Sequence, residues 1–571
     1  MNKKWILHQP NQQAVEHLQE VLQIDKISCQ LLAQRGITTF ETAKDFFRPN
    51  IKKLHDPFLM KDMENAVNRL TKAIEFDEPI LIYGDYDVDG TTSVAMMYQF
   101  LSNHHKHLEY YIPDRYKEGY GISMQGIDYA KQNGINLIIS IDCGINAIAP
   151  VQKAKELGID FIICDHHLPK ENLPQAVAVL DPKRKDCNYP FKDLSGCGVA
   201  FKLIQAFLQK HQLPTKELNE LLDLLVISIA CDIVPIVGEN RILAHFGLKK
   251  LNTKPRSGIR ALIQVHQRNY PFSISDIVFG IGPSINAAGR LSDAKLSVRL
   301  LLANDKKVAL HLAEELKHKN DKRKDFEYEI TRAAMHQVTQ HPDWNNHQTI
   351  VVFGEDWHKG VVGIVASKLV DKFHKPSIVL TKSNGQIVGS ARSIRGFDVH
   401  QAIQQCEKHL INFGGHQYAA GLTIKPDALE HFKNDFEKAV VNTIKKDDLI
   451  AKEFVAAYLD FNEITPKFLR ILQQFAPFGP SNRRPVFATR SVKDAGRSKV
   501  LKNEHLRLDV QQADKSRFQG IGFGLGGKFD IIEKEAFDIC YVVEENVWKG
   551  KKRLQLRVKD VKTVDGRRTL R

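Results

Sequence analysis

Short apolar runs alternate with amphipathic segments through the first half of the chain, and this alternation predicts its fold. Five runs have the length and the Ile, Val and Leu content of buried strands: PILIYG from Pro79, LEYYIP from Leu108, INLIISIDCG from Ile135, DFIICDHH from Asp160 and AVAVLDP from Ala176. Helical patterns such as 91–101 and 145–157 lie between them. Buried strands that alternate with helices predict a parallel, doubly wound sheet. The apolar segment Leu218–Ala230 predicts a buried helix that ends near Asp232.

The second half changes pattern twice. A charged, periodic stretch within 303–340 predicts a long exposed helix between two domains, and strand-like runs from Thr349 to about Asp447 predict a second α/β unit. From Phe454 onward, about five short strands separated by turn residues predict a small β-barrel, for which the OB fold is the first choice and a barrel without a nucleic-acid role the alternative. The predicted order is a helical segment at 1–60, a parallel-sheet domain at 61–240, a connecting region with the long helix at 241–340, a smaller α/β domain at 341–450 and an OB-like domain at 451–571.

Composition and charge narrow the class of protein. Hydrophobic residues make up 43% and charged residues 26%, which is typical of globular chains. No apolar run reaches the roughly 18 residues of a membrane span, and the eight cysteines form no CxxC pair, so we expect a cytoplasmic protein without disulfides. The net charge is +14, and half of it lies on the last 81 residues, where 19 Lys and Arg face 12 Asp and Glu. A polyanionic partner and a solvated basic face explain this charge equally well.

Acidic residues follow the first predicted strand at alternate positions. Asp85, Asp87 and Asp89 stand in GDYDVDG, directly after the apolar run. In open α/β sheets ligands bind beyond the carboxyl ends of strands, so these side chains can point into one crevice. An ordinary strand-to-helix turn is the alternative. An EF-hand does not fit, because the twelfth position lacks a Glu and a strand precedes the motif.

Two later strands and one helix also end in acids. Asp142 follows one strand, Asp165, His166 and His167 follow another, and Asp232 ends the buried helix. Taken singly, each of these residues is more simply explained as a helix cap or as a core residue whose hydrogen bonds are all made. Together they predict converging carboxylates that repel one another unless a cation is present. Carboxylate and imidazole ligands without thiolate favour Mn²⁺ or Mg²⁺, and a bridging Asp between two ions indicates hydrolysis of a phosphoester or phosphoanhydride.

At these residues the sequence resembles the DHH phosphoesterase superfamily and, within it, the RecJ exonucleases. The segments that carry the resemblance are GDYDVDGTTS, IPDRYKEGYG, SIDCG, CDHH, GIGPSINAAGRLSDA and FGGHQYAAG, over about residues 80–421. The resemblance implies a DHH metal-binding catalytic domain and a DHH-associated substrate-binding domain. It implies that two ions are held by Asp87, Asp89, Asp142, His166 and Asp232, with Asp142 bridging, Asp85 as a ligand or a supporting acid, and His167 orienting His166 or touching the phosphate.

The same resemblance implies residues that hold the substrate. A terminal 5′-phosphate would be bound by Arg115, Arg290, Ser390 and Arg392, since arginine suits bidentate phosphate recognition. Gly414, Gly415 and His416 would face the metals, with His416 stabilising charge on the scissile phosphate. A plain turn is the better explanation of GGH on its own. Tyr120 would stack on a base or belong to the core.

The implied function is a 5′→3′ exonuclease that acts on single-stranded DNA in repair and recombination, hydrolyses phosphodiester bonds with Mn²⁺ or Mg²⁺ and releases 5′-mononucleotides. We expect a monomer, with a single-strand-binding protein and a helicase as further partners. Two alternatives remain open. One is a DHH-family hydrolase of small substrates, a pyrophosphatase or an oligoribonuclease. The other is a non-catalytic single-strand-binding protein. Length and the basic tail count against the first, and the intact acids count against the second.

Overall fold

The computed structural model describes residues 3–291, 293–534, 536–548 and 551–564. The chain forms two compact units, one made of Met1–Asn50 with Ala451–Arg571 and the other of Ile51–Ile450. Residues 565–571, the end of the predicted barrel domain, lie outside the described residues. The bounds of the five predicted domains stay predictions.

A five-stranded parallel sheet organises the first part of the larger unit. Its strands lie in the order Leu108–Tyr111, Ile80–Gly84, Leu137–Ile141, Asp160–Cys164 and Ala178–Leu180. The strand order reverses beside Ile80–Gly84, and in doubly wound sheets such a reversal marks the ligand crevice. Four of the strands are almost entirely buried in apolar cores, because helices cover both faces of the sheet. The predicted parallel sheet is thereby confirmed.

Helices pack around this sheet and continue beyond it. They are Met63–Glu75, Val88–Leu101, Met124–Gln132, Ile148–Glu156, Gly196–Lys210, Lys216–Cys231, Gly238–Thr253, Ser257–Val265, Gly282–Leu291 and Lys295–Leu302. A π-helical turn, Ile277–Ile281, leads into Gly282–Leu291. The long helix Lys306–Gln340 has 35 residues, and most of its side chains are not buried, as its charged sequence predicts.

A second, mixed sheet follows the long helix. Its order is Leu410–His416, Ala419–Ile424, Gln386–Arg392, Ser377–Ser383 and Ile350–Gly354, and only the last pair is parallel. Helices Val362–Phe373, Val399–Gln404 and Leu429–Thr443 pack against it. The predicted second α/β unit is confirmed.

The smaller unit contains a closed barrel. Strands Phe487–Asp494, Phe537–Trp548, Lys551–Thr563, Arg517–Gly522 and His505–Gln511 pair in a ring, because the last of them also pairs with the first. Ala457–Tyr458 and Lys499–Leu501 extend the sheet, and helix Pro466–Gln474 packs on it. A ring of five strands is the architecture of the OB fold that the sequence predicts.

The beginning of the chain completes this barrel unit. Strand Lys4–Leu7 pairs in parallel with Lys452–Val455, and helices Gln12–Leu22, Lys26–Ala33 and Phe40–Phe47 share one apolar core with the barrel. Trp5 donates from Nε1 to Asp560 at 2.8 Å. Among the described residues, no helix is both long and apolar enough to cross a membrane.

Candidate metal centre and substrate site

Three acidic strand ends meet because their strands are in register. Gly84 pairs with Ile141, and Ile141 pairs with Cys164. Asp85, Asp142 and Asp165 each come one residue later and are buried. Asp142 has a φ of 62°, a left-handed conformation that Asp tolerates better than most residues. The strand register therefore places three carboxylates at one rim of the sheet.

Six predicted metal ligands and His167 come together at this rim. Their ligand atoms form three groups, each within 4.8 Å: Asp85 with Asp87 and Asp142, Asp89 with His166 and Asp232, and Asp142 with His166 and His167. His166 Nε2 lies 3.2 Å from Asp142 Oδ1, 3.6 Å from Asp232 Oδ2 and 3.8 Å from Asp89 Oδ2. Asp142 and His166 each belong to two of the groups, and of the two only Asp142, with two carboxylate oxygens, has the chemistry of a bridging ligand.

Helix ends hold the other carboxylates in place. Asp87 caps helix Val88–Leu101 and accepts a hydrogen bond from the amide of Gly90 at 3.0 Å. Asp89, in the first turn, accepts bonds from the amides of Gly196 and Cys197 at 2.7 and 3.0 Å, and from Ser228 Oγ at 2.7 Å. Asp232 follows helix Lys216–Cys231 at its end.

The electrostatics of the cluster fit a divalent cation. Burial and the nearby carboxylates of Asp89 and Asp87 raise the pKa of Asp142 and of Asp232 well above the usual range for Asp. Burial and Asp87 do the same to the pKa of Asp85. Asp85 Oδ1, His166 Nε2 and Asp232 Oδ2 are buried and have no hydrogen-bond partner within the described part of the chain. Buried carboxylates without partners are costly, and a bound cation supplies the missing charge and ligation.

Asp165 and His167 form a second, self-contained pair. Asp165 Oδ1 accepts a hydrogen bond from His167 Nδ1 at 2.7 Å, and Asp165 Oδ2 accepts one from the amide of Ile145 at 2.9 Å. Burial alone would raise the pKa of Asp165, but these bonds lower it to about 2. Burial alone would lower the pKa of His167, but Asp165 raises it to about 9. The pair therefore presents a cationic imidazole, whose Nε2 lies 3.1 Å from Tyr120 Oη.

Arginines gather around Arg290 in the same unit. Burial, then Arg115, Arg323 and Arg392, lower the pKa of Arg290 to about 10. Burial and Arg115 also lower the pKa of Arg392, whose Nη1 donates to Ser390 Oγ at 2.7 Å. Cations that destabilise one another in this way favour a bound anion.

Other parts of the unit fix these arginines. Arg290 donates to the carbonyl of Gly360 at 3.1 Å, and Arg115 lies 4.9 Å above the ring of Tyr86. A Cβ on Gly363 would come within 2.9 Å of Arg392 Nη2 and 3.0 Å of Ser390 Oγ. Glycine at this position therefore leaves room beside the guanidinium.

Two further predicted features lie on exposed surface. Tyr120 is 58% exposed, so it is not a core residue. Gly414, Gly415 and His416 belong to an exposed hairpin, in which a Cβ on Gly415 would lie 2.3 Å from the carbonyl of Ala419. Within the described residues, no hydrogen bond, ion pair or ring contact joins His416 to the acid cluster.

The residues predicted from the sequence do not include every residue that shapes the site. Asp165 lies in the predicted motif without a role of its own, although its position next to two histidines is the available signal. Arg323 is hidden in the charged pattern of the long helix, yet it is only 8% exposed and pairs with Glu327. Gly196, whose amide holds Asp89, gives no signal that sequence reasoning can use.

Three family models match successive parts of the chain, and two relatives span more than nine tenths of it. The DHH family N-terminal domain matches residues 79–229, the DHHA1 domain matches 346–442 and the RecJ OB domain matches 455–560. The single-stranded-DNA-specific exonuclease RecJ of Bacillus subtilis is 37% identical over 562 residues, which cover 98% of this chain and 70% of the relative. Its namesake in Escherichia coli is 31% identical over 558 residues, covering 93% of this chain and 95% of the relative.

Solved structures of RecJ proteins have the same fold as this chain. The crystal structure of Thermus thermophilus RecJ in complex with Mn²⁺ superposes with a TM-score of 0.84 at 24% identity, covering 98% of this chain and 79% of that one, and this likeness establishes the fold. A crystal structure of exonuclease RecJ bound to manganese has a TM-score of 0.60 at 29% identity and covers 70% of this chain and 100% of that one.

Proposed function

The chain belongs to the RecJ family of single-stranded-DNA-specific exonucleases, and on that premise we propose that it removes mononucleotides from the 5′ end with two divalent ions. It is a metal-dependent exonuclease of single-stranded DNA. The observation that carries the proposed mechanism is the sharing of Asp142 between two groups of ligand atoms, each within 4.8 Å. Two ions joined by one carboxylate suit in-line displacement at a phosphodiester.

We assign the ligands from the geometry of the rim. Asp87, Asp89, Asp142, His166 and Asp232 hold the ions, and Asp85 joins the group around Asp142. When bound, Mn²⁺ or Mg²⁺ neutralises the carboxylates and polarises the scissile phosphate. A manganese-bound RecJ structure at 29% identity supports this choice of metal. The chain itself keeps His166 neutral, because burial lowers its pKa, and a neutral imidazole is the form that ligates.

The arginine cluster supplies the recognition of the strand end. Arg115, Arg290 and Arg392, together with Ser390 Oγ, bind a terminal 5′-phosphate, whose charge offsets the repulsion between their guanidinium groups. A binding site for the terminal phosphate beside the metal rim fixes how far the strand enters, and so favours the release of single nucleotides.

Three further groups complete the proposed site. His167, oriented by its hydrogen bond to Asp165, contacts an oxygen of the scissile phosphate. The exposed ring of Tyr120 stacks on a base without regard to sequence. The glycines of Gly414–Gly415–His416 let the main chain approach the strand, and His416 stabilises phosphate charge.

The remaining assignments follow from the substrate. We propose that 61–240 is the catalytic domain, that 241–340 connects it through the long helix to the substrate-binding domain at 341–450, and that 451–571 provides a second DNA-binding surface, with 1–60 as a helical segment. An enzyme that needs single strands depends on another protein to separate a duplex, so we propose a helicase and a single-strand-binding protein as partners. We further propose a cytoplasmic monomer that acts in repair and recombination.

One experiment separates this function from its alternatives. The protein is incubated with Mn²⁺ and with single-stranded DNA labelled at either end, duplex DNA, RNA and pyrophosphate. Labelled mononucleotides should appear first from the 5′-labelled single strand. Turnover of pyrophosphate without loss of DNA would favour a small-substrate hydrolase. Binding of DNA without any product would favour a non-catalytic protein.

A further inference from the structure

Ile233 occupies an unusual position at the rim of the metal centre. It follows the ligand Asp232, has a φ of 61° and is 63% exposed. The next apolar residues, Val234 and Ile236, turn inward and are buried. The chain therefore turns after Asp232 and leaves the large aliphatic side chain of Ile233 exposed to solvent.

This conformation is unfavourable for isoleucine. Left-handed backbone brings Cβ close to the following carbonyl, and a branched Cβ makes the crowding worse. Among the described residues with left-handed φ, the others are glycine or the unbranched Asn, Asp, Ser, Gln, His and Lys. Glycine or asparagine is what a turn at a helix end usually selects. Local structure alone therefore gives no reason for isoleucine here.

Ile233 lies close to the metal site because its neighbour in the chain, Asp232, belongs to the acid cluster. The preceding residue, Asp232, has its Oδ2 3.6 Å from His166 Nε2, and consecutive Cα atoms are about 3.8 Å apart. The helix end is also packed firmly, since a Cβ on Gly282 would lie 2.5 Å from Cys231 Sγ. The side chain of Ile233 thus stands on a rigid support one residue from a metal ligand.

We infer that Ile233 contacts the substrate and packs its aliphatic side chain against the sugar or base of a nucleotide beside the scissile phosphate. This inference rests on the proposed function. At the rim the guanidinium groups bind phosphate, and the carboxylates and His166 would hold the ions that contact it. Among the residues assigned above, Tyr120 alone offers an apolar face to the nucleotide. An aliphatic contact to the sugar or base is independent of sequence, as a general exonuclease requires. Strain that persists at a functional site is a recognised sign of such a role.

The test compares variants that relieve the strain with one that keeps the aliphatic side chain. Ile233→Gly and Ile233→Asn both tolerate left-handed backbone but remove the aliphatic group, whereas Ile233→Val retains most of it. The two strain-relieving variants should melt at or above the temperature of the wild type. Their KM for single-stranded DNA should rise roughly tenfold, as expected when one aliphatic side chain no longer packs against the substrate. Ile233→Val should keep a KM close to that of the wild type.

Gln212→Gly is the matched control. Gln212 also has a left-handed φ, of 52°, but it follows the far end of helix Gly196–Lys210 from the metal site, about 20 Å along the helix axis. This variant should gain stability in the same way and leave the KM unchanged. The shift in melting temperature on adding Mn²⁺ should be the same in all variants, because Asp232 is untouched.

Each other outcome overturns the inference in a recognisable way. An unchanged KM in Ile233→Gly and Ile233→Asn would refute substrate contact. A lower melting temperature with a smaller Mn²⁺ shift would make Ile233 a support of Asp232 instead. If the wild type fails to cleave the same DNA, the proposed function fails, and that result is read before any variant is compared.

Discussion

The carboxylate of Asp89 accepts a hydrogen bond from the amide of Gly196 at 2.7 Å, although the two residues are 107 positions apart in the chain. Gly196 opens helix Gly196–Lys210, and its neighbour Cys197 donates to the same carboxylate at 3.0 Å. A helix N-terminus stabilises negative charge through its unpaired amides. The first turn of this helix therefore orients a metal ligand that belongs to another helix.

Replacement of Gly196 should damage the metal centre. In Gly196→Ala the new Cβ would lie 2.6 Å from Asp142 Cβ and 2.8 Å from Asp142 Cα, so either the helix or Asp142 has to move. We expect cleavage of single-stranded DNA to fall by at least about a hundredfold, the loss of roughly 2.7 kcal/mol of transition-state stabilisation. The kcat with saturating Mn²⁺ measures it.

Gly198→Ala, two residues later in the same helix, provides the control. Its Cβ would meet the side chain of Leu194 at 3.3 Å, a tight approach with no metal ligand involved. Activity should fall much less than in Gly196→Ala. Equal losses in the two variants would mean that helix packing in general, and not the position of Asp142, limits the rate.

Removal of Asp142 should separate stability from activity. Its pKa is raised by burial and by Asp89, Asp87, Asp232 and Asp85, so its charge is unfavourable in the metal-free fold. Asp142→Ala should therefore lower cleavage by a thousandfold or more, about 4 kcal/mol. The metal-free protein should melt near the temperature of the wild type, because loss of the repelled carboxylate offsets the strain of alanine at a φ of 62°.

The rise in melting temperature on adding Mn²⁺ distinguishes the loss of a metal ligand from a general loss of stability. A ligand that binds only the folded state stabilises it by about 2.7 kcal/mol at a hundred times its Kd. The wild type should show a rise in melting temperature with Mn²⁺, and Asp142→Ala should lose most of it. An Asp142→Ala protein with normal activity would remove the metal assignment altogether.

Much of the site is predictable because strand ends in a parallel sheet share one edge. Asp85 and Asp142 follow runs whose apolar character marks them as buried strands, and their convergence needs no other information. The partner of Asp89 is not predictable, since it depends on where a helix starts in three dimensions. The same is true of the core that Leu18 and Leu31 share with Phe475, because apolar periodicity says which face is buried but not against what.

The arginine cluster predicts a preference for phosphorylated ends. Arg392 Nη1 is held on Ser390 Oγ at 2.7 Å, next to the space left by Gly363. Since a hydrogen bond to a charged group contributes about 1.5–3 kcal/mol, Arg392→Gln should raise the KM for 5′-phosphorylated DNA roughly 10- to 100-fold. The KM for 5′-hydroxyl DNA should change little.

The measurement compares the KM for 5′-phosphorylated DNA with the KM for 5′-hydroxyl DNA. The matched control is Arg395→Gln, on an exposed turn three residues later. The control should leave both KM values near those of the wild type. If Arg392→Gln weakens the two substrates equally, the cluster attracts the strand in general and does not recognise its terminal phosphate.

The barrel unit should contribute affinity that depends on salt. Deletion of 454–571 alone would expose the apolar core that helices Gln12–Leu22 and Lys26–Ala33 share with the barrel, so the cleaner change removes the whole unit, 1–50 and 451–571. The fragment 51–450 retains the metal centre and the arginine cluster, and it should still cleave short oligonucleotides. Its affinity for long single strands should fall, and log Kd should vary less steeply with log salt, by about 0.7 for each phosphate that the fragment no longer neutralises.

Titration of a 6-mer and a 30-mer over a range of NaCl concentrations distinguishes the contribution of the barrel unit from that of the active site, since the short strand reaches few phosphates beyond the active site. For the 6-mer, the slope of log Kd against log salt should be similar in the full chain and in the fragment 51–450, and for the 30-mer it should differ. Equal slopes for the 30-mer would mean that the basic barrel serves stability and not DNA binding.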